Sequence, residues 1–432
     1  MEQGDICSVK VKTYWNIDAY GDPDMRYIDF VDLEYEPRET DLVCMFHVES
    51  MGQPLEVIAG GVAAESSVGT WTELSTEEPY MQRLAAKVYS IEGNEINVAY
   101  PLELFEPGNM PNILSSVAGN VFGLEDIKHL RLNDIYFPKE LVKSFRGPRY
   151  GIQGVREITG VRDRPLVGTI IKPKLGLVTA DHARVAYEAW SGGCDVVKDD
   201  ENLSSQSFNP FKDRVIQTLE ARDRAESETG EKKVYLINVT AEVEEMKRRA
   251  QYVEDHGGRY MMIDILTTGW SSLQAMRDAG YNLMIHAHRA GHAAFTRSRV
   301  HGVNMVVLAR VARLLGVDQL HVGTAVGKMA ETEEEVRANI AACKEPMHGV
   351  RSVLPVASGG LHPGTVQRIV EIFGNDTVIQ AGGGIHGHPD GTVSGATAMR
   401  QAVDAAIRGI KPEDYANDHP ELSRALTKWS VV

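Results

Sequence analysis

The tetrapeptide Lys198-Asp199-Asp200-Glu201 has the residue types and spacing of a divalent-cation site. Side chains at the end of a β-strand alternate between its two faces, so Lys198 and Asp200 should point one way and Asp199 the other. A turn can bring Glu201 back, and the converging carboxylates suit a hard cation such as Mg²⁺. Because an ammonium has no acceptor, Lys198 would join the site only as the anionic carbamate formed with CO2. The alternative is a solvated run of charges.

Two lysines flank Pro173, which restricts the local backbone, so Lys172 and Lys174 should be held in defined places. A partly desolvated lysine beside a metal or a second cation could exchange protons near neutrality. The alternative is a pair of surface lysines whose aliphatic stems lie on the protein rim.

Glycines and cations elsewhere in the sequence predict binding of anions. Residues 358–360 (SGG) and 382–384 (GGG) allow backbone N–H groups to approach an anion closely. Arg289 and His321 would form a second, cationic pocket. A substrate with two phosphates, one on each side of a central metal, follows as a hypothesis. Ordinary tight turns are the alternative for the glycines.

Histidine pairs raise the question of zinc. His286-Ala287-His288 resembles the H-x-H of zinc hydrolase barrels, with one inward and one structural histidine as the alternative. Zinc amidohydrolases place H-x-H on the first barrel strand, whereas this pair lies on the fifth, which disfavours that family. His386-Gly387-His388 is interpreted as loop and not as a metal site.

The elements that must position these residues form an alternating pattern from Pro165 onward. Eight short β-branched runs are separated by helical stretches, which predicts an α/β fold with a closed (β/α)8 TIM barrel. The runs are residues 166–171, 194–198, 234–239, 260–265, 282–286, 319–322, 353–357 and 377–381. An open doubly wound sheet is disfavoured because the first turn lacks G-x-G-x-x-G.

The chemically useful residues follow the predicted strands, where barrel enzymes build their sites. Lys172 and Lys174 follow run one, residues 198–201 end run two, and His288, Arg289 and His292 follow run five. The helices between the strands are predicted at residues 180–190, 210–227, 241–256, 271–279, 302–315, 333–343, 363–373 and 395–407. These placements predict one active rim.

The chain of 432 residues is long enough for a barrel and one smaller domain. Residues 1–140 mix alternating runs (41–47 and 95–99) with a helical pattern at 80–90, which predicts a smaller N-terminal α+β domain. Residues 141–432 are assigned to the barrel, with a C-terminal helical extension from Pro412.

Composition limits the partners and the compartment. The chain has 45 basic and 60 acidic residues, a net charge of −15, so nucleic acid and anionic membranes are disfavoured. Four cysteines without a CxxC pair give neither a disulfide framework nor a zinc pattern. With no leader-like or membrane-spanning stretch, a reduced, cytoplasmic location is expected.

Seven short stretches form a specific set of motifs. They are residues 65–71 (ESSVGTW), 119–123 (GNVFG), 172–177 (KPKLGL), 192–202 (GGCDVVKDDEN), 288–292 (HRAGH), 321–328 (HVGTAVGK) and 358–360 (SGG). Through them nearly the whole chain resembles the large subunit of ribulose-1,5-bisphosphate carboxylase/oxygenase (RuBisCO). Residues 383–391 (GGIHGHPDG) and the compact length are most similar to the archaeal form III branch, which works without small subunits.

The resemblance implies a magnesium-dependent lyase that carboxylates, and also oxygenates, ribulose 1,5-bisphosphate. Lys198 would be the carbamylated lysine that binds Mg²⁺ with Asp200 and Glu201 and removes the C3 proton. Further catalytic roles would fall to four other residues. Lys172 would protonate the carbanion after C–C cleavage, Lys174 would shape the electrostatics beside it, Lys328 would hold the incoming CO2 carboxylate, and His288 would assist hydration.

The resemblance also implies two phosphate sites and a shared active site. Arg289, His321 and Ser358 would hold one phosphate or its neighbouring hydroxyl. The other would bind the glycines together with Thr70 and Trp71; the glycines are Gly359, Gly360, Gly382 and Gly383. Glu65, Thr70, Trp71 and Asn120 would cover the barrel of a partner subunit, giving a homodimer or an assembly of dimers.

The sequence departs from the family in loop six, where Ala330 and Glu331 replace the usual acidic residue and glycine. The departure bears on the preference between CO2 and O2 and not on the reaction type. The nearest alternative is a RuBisCO-like enolase or isomerase that enolises a phosphorylated ketose without carboxylation. Such paralogues usually lose phosphate or loop residues, whereas Lys172, Lys328 and Glu65 are present here. The resemblance is compatible with two sources of the substrate, nucleotide salvage through AMP catabolism and a phosphoribulokinase.

Overall fold

The N-terminal unit is built on strands in which buried positions alternate with partly exposed ones. The computed structural model describes residues 27–72, 74–327 and 330–432. Strands β1 (Leu42–Ser50), β2 (Lys87–Glu92), β3 (Glu95–Tyr100) and β4 (Ile127–Tyr136) pair antiparallel, in the order β4-β1-β3-β2. The helix Leu55–Glu65 packs on this sheet. The predicted α+β character is confirmed.

The helix predicted at residues 80–90 is wrong. The structure has a 3-10 helix at Pro79–Leu84 and then strand β2. Gly93, at φ 60°, makes the tight turn that pairs β2 with β3. Pairing with a neighbouring strand therefore overrides the helical spacing of the apolar residues.

The eight predicted runs form a closed parallel barrel, and the TIM-barrel prediction is confirmed. The barrel strands are β5 (Leu166–Ile170), β6 (Val196–Lys198), β7 (Val234–Asn238), β8 (Tyr260–Asp264), β9 (Met284–His288), β11 (Gln319–Gly323), β12 (Leu354–Ser358) and β13 (Val378–Gln380). Strand β13 pairs with β5 and closes the circle. Because helices cover the outside, these strands are buried on both faces and most of their residues are apolar.

The chain between β9 and β11 departs from the prediction in two places. His288 is the last residue of β9 and does not follow the strand, because β9 stays paired with β8 as far as the Asp264–His288 register. The helix predicted from residue 302 begins only at Met305. Gly302 and Val303 instead form strand β10, which pairs in parallel with β4 of the N-terminal sheet.

Helices surround the barrel and close its lower end. After the helix Leu55–Glu65, the α-helices are Met110–Val117, Lys139–Lys143, Gly151–Thr159, Thr179–Ser191, Phe211–Thr229, Val243–Asp255, Ile265–Thr268, Trp270–Asp278, Ala293–Thr296, Met305–Leu314, Glu333–Lys344, Val366–Phe373, Gly383–His386, Gly391–Ile407, Pro412–Tyr415 and Pro420–Lys428. Further 3-10 helices are Leu102–Leu104, Asn120–Gly123, Pro363–Thr365 and Ala416–Asp418. Val155 of Gly151–Thr159 packs with inward residues such as Leu166 and Val356. None of the helices in the described ranges has the length and apolarity needed to span a bilayer.

Candidate active site

Lys198 ends β6 and is completely buried at the carboxyl rim of the barrel. Its Nζ donates a hydrogen bond to the Asp199 carbonyl at 2.8 Å and lies 3.1 Å from Glu201 Oε2. Burial raises the pKa of Glu201, but the charges of Lys198 and His288 together with hydrogen bonds outweigh it and bring this pKa down to about 2. A buried amine and a carboxylate therefore face each other at the rim.

Asp200 lies beside this pair and is 1% exposed. Lys172 Nζ donates to Asp200 Oδ2 at 2.7 Å, and the backbone and side-chain nitrogens of Asn202 each lie 3.1 Å from Asp200 Oδ1. Lys174 is exposed and has no ion-pair partner among the residues that the structure describes. The fold thus brings Lys172, and not Lys174, to the carboxylates.

Asp199 points the opposite way, into a fully buried polar network, as strand alternation predicts. Arg214 Nε donates to Asp199 Oδ2 at 3.2 Å, Tyr235 Oη donates to Oδ1 at 2.5 Å, and His182 Nε2 lies 3.1 Å from Oδ1. Burial raises the pKa of Asp199, but Arg214 and His182 outweigh it and hold this pKa below its usual range. The buried Arg214–Asp199 ion pair therefore anchors the backbone between Lys198 and Asp200.

Three histidines lie side by side next to the carboxylates. His286 Nε2 is 2.9 Å from His321 Nε2, and the rings of His288 and His321 have centroids 4.8 Å apart. Burial lowers the pKa of His286 to about 3 and lowers the pKa of His321 well below its usual value. Both rings are therefore neutral at physiological pH, with His286 held by Gln319 at 2.8 Å.

His288 connects this cluster to the carboxylates. Its Nδ1 is 2.6 Å from Asp264 Oδ1, and its Nε2 is 3.6 Å from Glu201 Oε2. Sequence reasoning missed Asp264. It ends β8, the fourth barrel strand, so the rule that strand ends build barrel sites could have found it.

A cationic pocket lies on one side of the carboxylates. Arg289, directly after β9, is 5% exposed, and its Nη2 donates to Glu331 Oε1 at 2.6 Å. His321 Nδ1 lies 2.6 Å from Ser358 Oγ at the end of β12. The structure therefore places all three predicted pocket residues on or directly after the neighbouring strands β9, β11 and β12, and adds a carboxylate that was not expected there.

A turn rich in glycine lies on the other side. Gly359 and Gly360 have φ values of 119° and 82°, a region that favours glycine. A Cβ at Gly382 would lie 3.0 Å from Lys172 Cε, so the backbone approaches that lysine closely. A Cβ at Gly383 would meet no atom within 4 Å, so the backbone there borders open space. The turns leave room for an anion beside Lys172.

The other histidine motif is held by protein neighbours. His386 lies 2.9 Å from Thr169 Oγ1 and 3.1 Å from Thr392 Oγ1, and His388 lies 3.0 Å from the Glu421 carbonyl. Of the predicted loop at residues 386–388, His386 instead ends a short helix over Gly383–His386, whereas Gly387 and His388 lie in the turn that follows it. These histidines therefore serve to pack the last barrel loop.

The predicted N-terminal site residues lie on the surface of their own domain. Glu65 ends its helix and accepts a hydrogen bond from Tyr27 Oη at 2.9 Å. Thr70 is partly exposed, Trp71 is 59% exposed and Asn120 is exposed. Thr70, Trp71 and Asn120 are thus at least partly exposed, whereas Glu65 is partly buried against Tyr27.

The loop after β11 has only some of its residues described. Lys328 lies outside the described residues. Gly327, at φ 85°, passes so close to the next loop that a Cβ would lie 2.5 Å from the Gly359 carbonyl oxygen. Ala330 is exposed, and Glu331 turns inward to Arg289.

The donor set fits a magnesium ion. Asp200 and Glu201 supply hard carboxylate oxygens beside one buried amine. Within the described ranges, no three His, Cys, Asp or Glu side chains are grouped to hold a metal by themselves. Two lysines adjoin these carboxylates: Lys198 Nζ lies 3.1 Å from Glu201 Oε2 and Lys172 Nζ lies 2.7 Å from Asp200 Oδ2, and of the two Lys198 is the completely buried one.

Comparisons with known proteins agree with the fold. Residues 29–141 match the family model of the ribulose bisphosphate carboxylase large chain, N-terminal domain, and residues 151–429 match that of its catalytic domain. The ribulose bisphosphate carboxylase of Methanocaldococcus jannaschii is 50% identical over 93% of this chain and 100% of its own length. That of Pyrococcus abyssi is 50% identical over 94% of this chain and 97% of its own.

Solved structures give the same result. Octameric RuBisCO of Pyrococcus horikoshii OT3, crystallised as a complex with sulfate ion, superposes with a TM-score of 0.90 at 50% identity, covering 93% of this chain and 96% of that one. The dimeric archaeal RuBisCO of Hyperthermus butylicus gives 0.88 at 47% identity, covering 94% and 100%. With both family models matched in order and half of the residues identical over nearly the full length, the chain belongs to the ribulose bisphosphate carboxylase large-chain family, a family of carboxy-lyases.

Proposed function

We propose that this chain catalyses the Mg²⁺-dependent carboxylation of ribulose 1,5-bisphosphate to two molecules of 3-phosphoglycerate. The observation that carries the proposal is the completely buried Lys198, set against Glu201 and next to Asp200 at the active rim. Because the Lys198 side chain is inaccessible to solvent, it does not belong to a solvated run of surface charges. Membership of the carboxylase family supports the same reaction.

Lys198 would react as the neutral amine, with its nitrogen bonding to the carbon of CO2 while a proton leaves to solvent. The resulting carbamate, with Asp200 and Glu201, would hold Mg²⁺. When bound, the ion supplies positive charge that stabilises the substrate oxygens that become negative during enolisation. The buried Arg214–Asp199 pair fixes the backbone that carries this ligand set.

Three further side chains would move protons or hold the added group. The carbamate of Lys198 would take the C3 proton, and the enediolate carbon C2 would then attack CO2. His288, held by Asp264, would serve the hydration step that precedes C–C cleavage. Lys172, whose Nζ already stands over Asp200, would protonate the carbanion, and Lys328 would hold the new carboxylate. Lys174 would act only through its charge.

The two phosphates would bind on opposite sides of the metal. Arg289, His321 and Ser358 would hold one. The other would bind backbone N–H groups at the glycine turns next to Lys172, with Thr70 and Trp71 of a partner subunit. The turn residues are Gly359, Gly360, Gly382 and Gly383. Oxygenation is the expected side reaction, since the enediolate has no steric means of excluding O2.

The proposed assembly is a homodimer or a larger set of dimers, without small subunits, nucleic acid or membrane. Glu65, Thr70, Trp71 and Asn120 would complete the site of the partner subunit. The exposed position of Trp71 supports this arrangement. We further propose that the domains divide as residues 1–140 and 141–432, and that the protein acts in the cytoplasm.

One observation favours keeping a second candidate, a RuBisCO-like enolase or isomerase that does not carboxylate. Arg289, the side chain expected to hold a phosphate, instead donates a hydrogen bond to the Glu331 carboxylate. The deciding assay incubates purified protein with ribulose 1,5-bisphosphate, Mg²⁺ and labelled bicarbonate, and follows acid-stable label together with exchange of the C3 proton. Carboxylation gives both signals, whereas C3 exchange without acid-stable label would replace our proposal with the second candidate.

The matched variants in this assay are Lys198→Met and Lys233→Met. Lys233 is also a fully buried lysine, but it precedes β7 at the opposite end of the barrel and bonds to Glu231 and the Cys194 carbonyl. Lys198→Met should lose both carboxylation and C3 exchange, while Lys233→Met should keep its activity per folded molecule. Equal activity of Lys198→Met and the unmodified protein would refute the role of Lys198.

A further inference from the structure

Glu331 is held in place by the start of a helix. It directly precedes Thr332, the N-cap of the helix Glu333–Lys344. Thr332 and Glu335 bond reciprocally in a capping box, with Thr332 N donating to Glu335 Oε2 at 2.7 Å. The backbone next to Glu331 is therefore anchored, and its side chain extends inward from a fixed point.

The Glu331 carboxylate lies within the cationic pocket itself. Its Oε1 accepts from Arg289 Nη2 at 2.6 Å and lies 3.9 Å from His292 Nε2. The side chains of Arg289 and Glu331 are only 6% and 16% exposed. The other oxygen, Glu331 Oε2, is buried and has no hydrogen-bond partner in the described part of the chain. The ion pair with Arg289 is therefore the main contact of this carboxylate with the described residues.

The Arg289–Glu331 pair packs closely on the barrel backbone. The pair lies over Gly323, the last residue of β11, where an added Cβ would be 3.2 Å from Arg289 Nη2 and 3.3 Å from Glu331 Cδ. Guanidinium groups bind carboxylate and phosphate oxygens through the same N–H donors. A phosphate and this carboxylate would therefore compete for one donor, and their like charges would repel at short range.

We propose that Glu331 is a built-in competitor of the substrate phosphate at Arg289, an inference that rests on the proposed function. The phosphate pairs with Arg289 only after the Glu331 carboxylate has left it, so each bound phosphate displaces an ion pair. At a given concentration this lowers occupancy by ligands with a single phosphate. A bisphosphate still binds, because its second phosphate is anchored at the glycine turns and raises the local concentration of the first.

The test measures binding of inorganic phosphate to the assembled full-length protein by titration calorimetry, without Mg²⁺ or bicarbonate. Glu331→Gln removes the charge and keeps the shape, and should tighten phosphate binding by about tenfold, within the usual range for coupled sites. The matched control is Glu334→Gln. Glu334 is exposed in the first turn of the helix Glu333–Lys344, three residues after Glu331. This change therefore removes an equal charge outside the pocket and should alter phosphate binding less than about twofold.

Arg289→Gln separates failure of this inference from failure of the proposed function. If phosphate binding depends on Arg289 but Glu331→Gln leaves it unchanged or weaker, the competitor role is wrong and the phosphate site stands. If Arg289→Gln does not weaken binding, the phosphate assignment itself is wrong. When Arg289 is already replaced by Gln, adding Glu331→Gln should not change phosphate binding. The inference would also be overturned if Glu331→Gln tightened phosphate binding equally without Arg289, or if the control Glu334→Gln tightened it as much as Glu331→Gln does.

A second variant guards against loss of folding. Should Glu331→Gln lower the unfolding temperature enough to prevent titration, Glu331→Asp keeps the charge but shortens the side chain by one methylene. Its longer contact to Arg289 should give a smaller tightening in the same direction. Phosphate binding by Glu331→Asp that is no tighter than in the unmodified protein would count against the competitor role.

Discussion

Replacing Asp199 with asparagine tests whether a buried charge organises the active rim. Four donors converge on the carboxylate: Arg214 and the Asn238 backbone N–H on Oδ2, and Tyr235 and His182 on Oδ1. An asparagine keeps the shape, and its oxygen can still accept from the first pair. Its NH2 group would face Tyr235 and His182, both of which can act as acceptors. The substitution therefore removes the charge and little else.

The expected loss of unfolding free energy follows from the ion pair that Arg214 loses in Asp199→Asn. Asp199 and Arg214 are both 0% exposed, and breaking a buried ion pair on one side costs about 3–5 kcal/mol. Arg214 also donates to the carbonyls of Asn209 at 2.9 Å and Ser204 at 2.7 Å, so its guanidinium keeps some hydrogen bonds. We expect a loss near the lower limit, about 3 kcal/mol of unfolding free energy at pH 7.

The sign of the pH dependence is fixed by the direction of the pKa shift. The pKa of Asp199 is below its usual range in the folded state, so the folded protein binds fewer protons there than the unfolded chain. The stabilisation is fully present above the unfolded pKa of about 3.9 and is lost as the pH falls through the folded pKa. The difference between the unmodified protein and Asp199→Asn should therefore shrink in acid.

Urea unfolding at pH 7 and at pH values below the unfolded pKa of about 3.9 measures both effects. Asp213→Asn is the control, since Asp213 is exposed in the first turn of the helix that carries Arg214 and its loss should cost less than about 1 kcal/mol. Unchanged stability of Asp199→Asn at pH 7, or a difference that does not shrink in acid, would refute the reasoning.

Three further predictions concern the reaction. Lys328→Ala should keep C3 proton exchange and lose carboxylation, and an equal loss of both would contradict its proposed role. Asp264→Asn should lower kcat about tenfold or more with little change in KM, because His288 loses the carboxylate 2.6 Å from its Nδ1; a change in KM alone would oppose this. Mixing inactive Glu65→Gln and Lys198→Ala chains should restore about a quarter of the activity if sites are shared within a twofold dimer, whereas no recovery would argue against a shared site.

The sequence alone was enough to predict the barrel and the rim at which its polar strand ends meet. Parallel strands covered by helices are buried on both faces, so they stand out as short apolar runs, and all eight runs became strands with small shifts at their ends. Topology then places the strand ends at one rim, which is why Lys198, His288 and Ser358 could be grouped without a structure.

Side-chain contacts between distant segments were beyond such reasoning. Asp264 contacts His288, and Glu331 contacts Arg289, only because of the rotamers that the packed rim selects. Strand β10 was missed for a similar reason, since Gly302 and Val303 form a strand only by pairing with the edge of β4. Periodicity describes a segment by itself and carries no information about which distant segment it will meet.

The central claim is that Lys198 becomes a carbamate that holds magnesium with Asp200 and Glu201. Carbon-13 NMR of the assembled protein equilibrated with labelled bicarbonate, with and without Mg²⁺, observes that carbon directly. We predict one carbamate resonance per chain that strengthens with Mg²⁺ and is missing in Lys198→Met. A resonance that persists in Lys198→Met, or none in the unmodified protein at saturating bicarbonate and Mg²⁺, would contradict the claim.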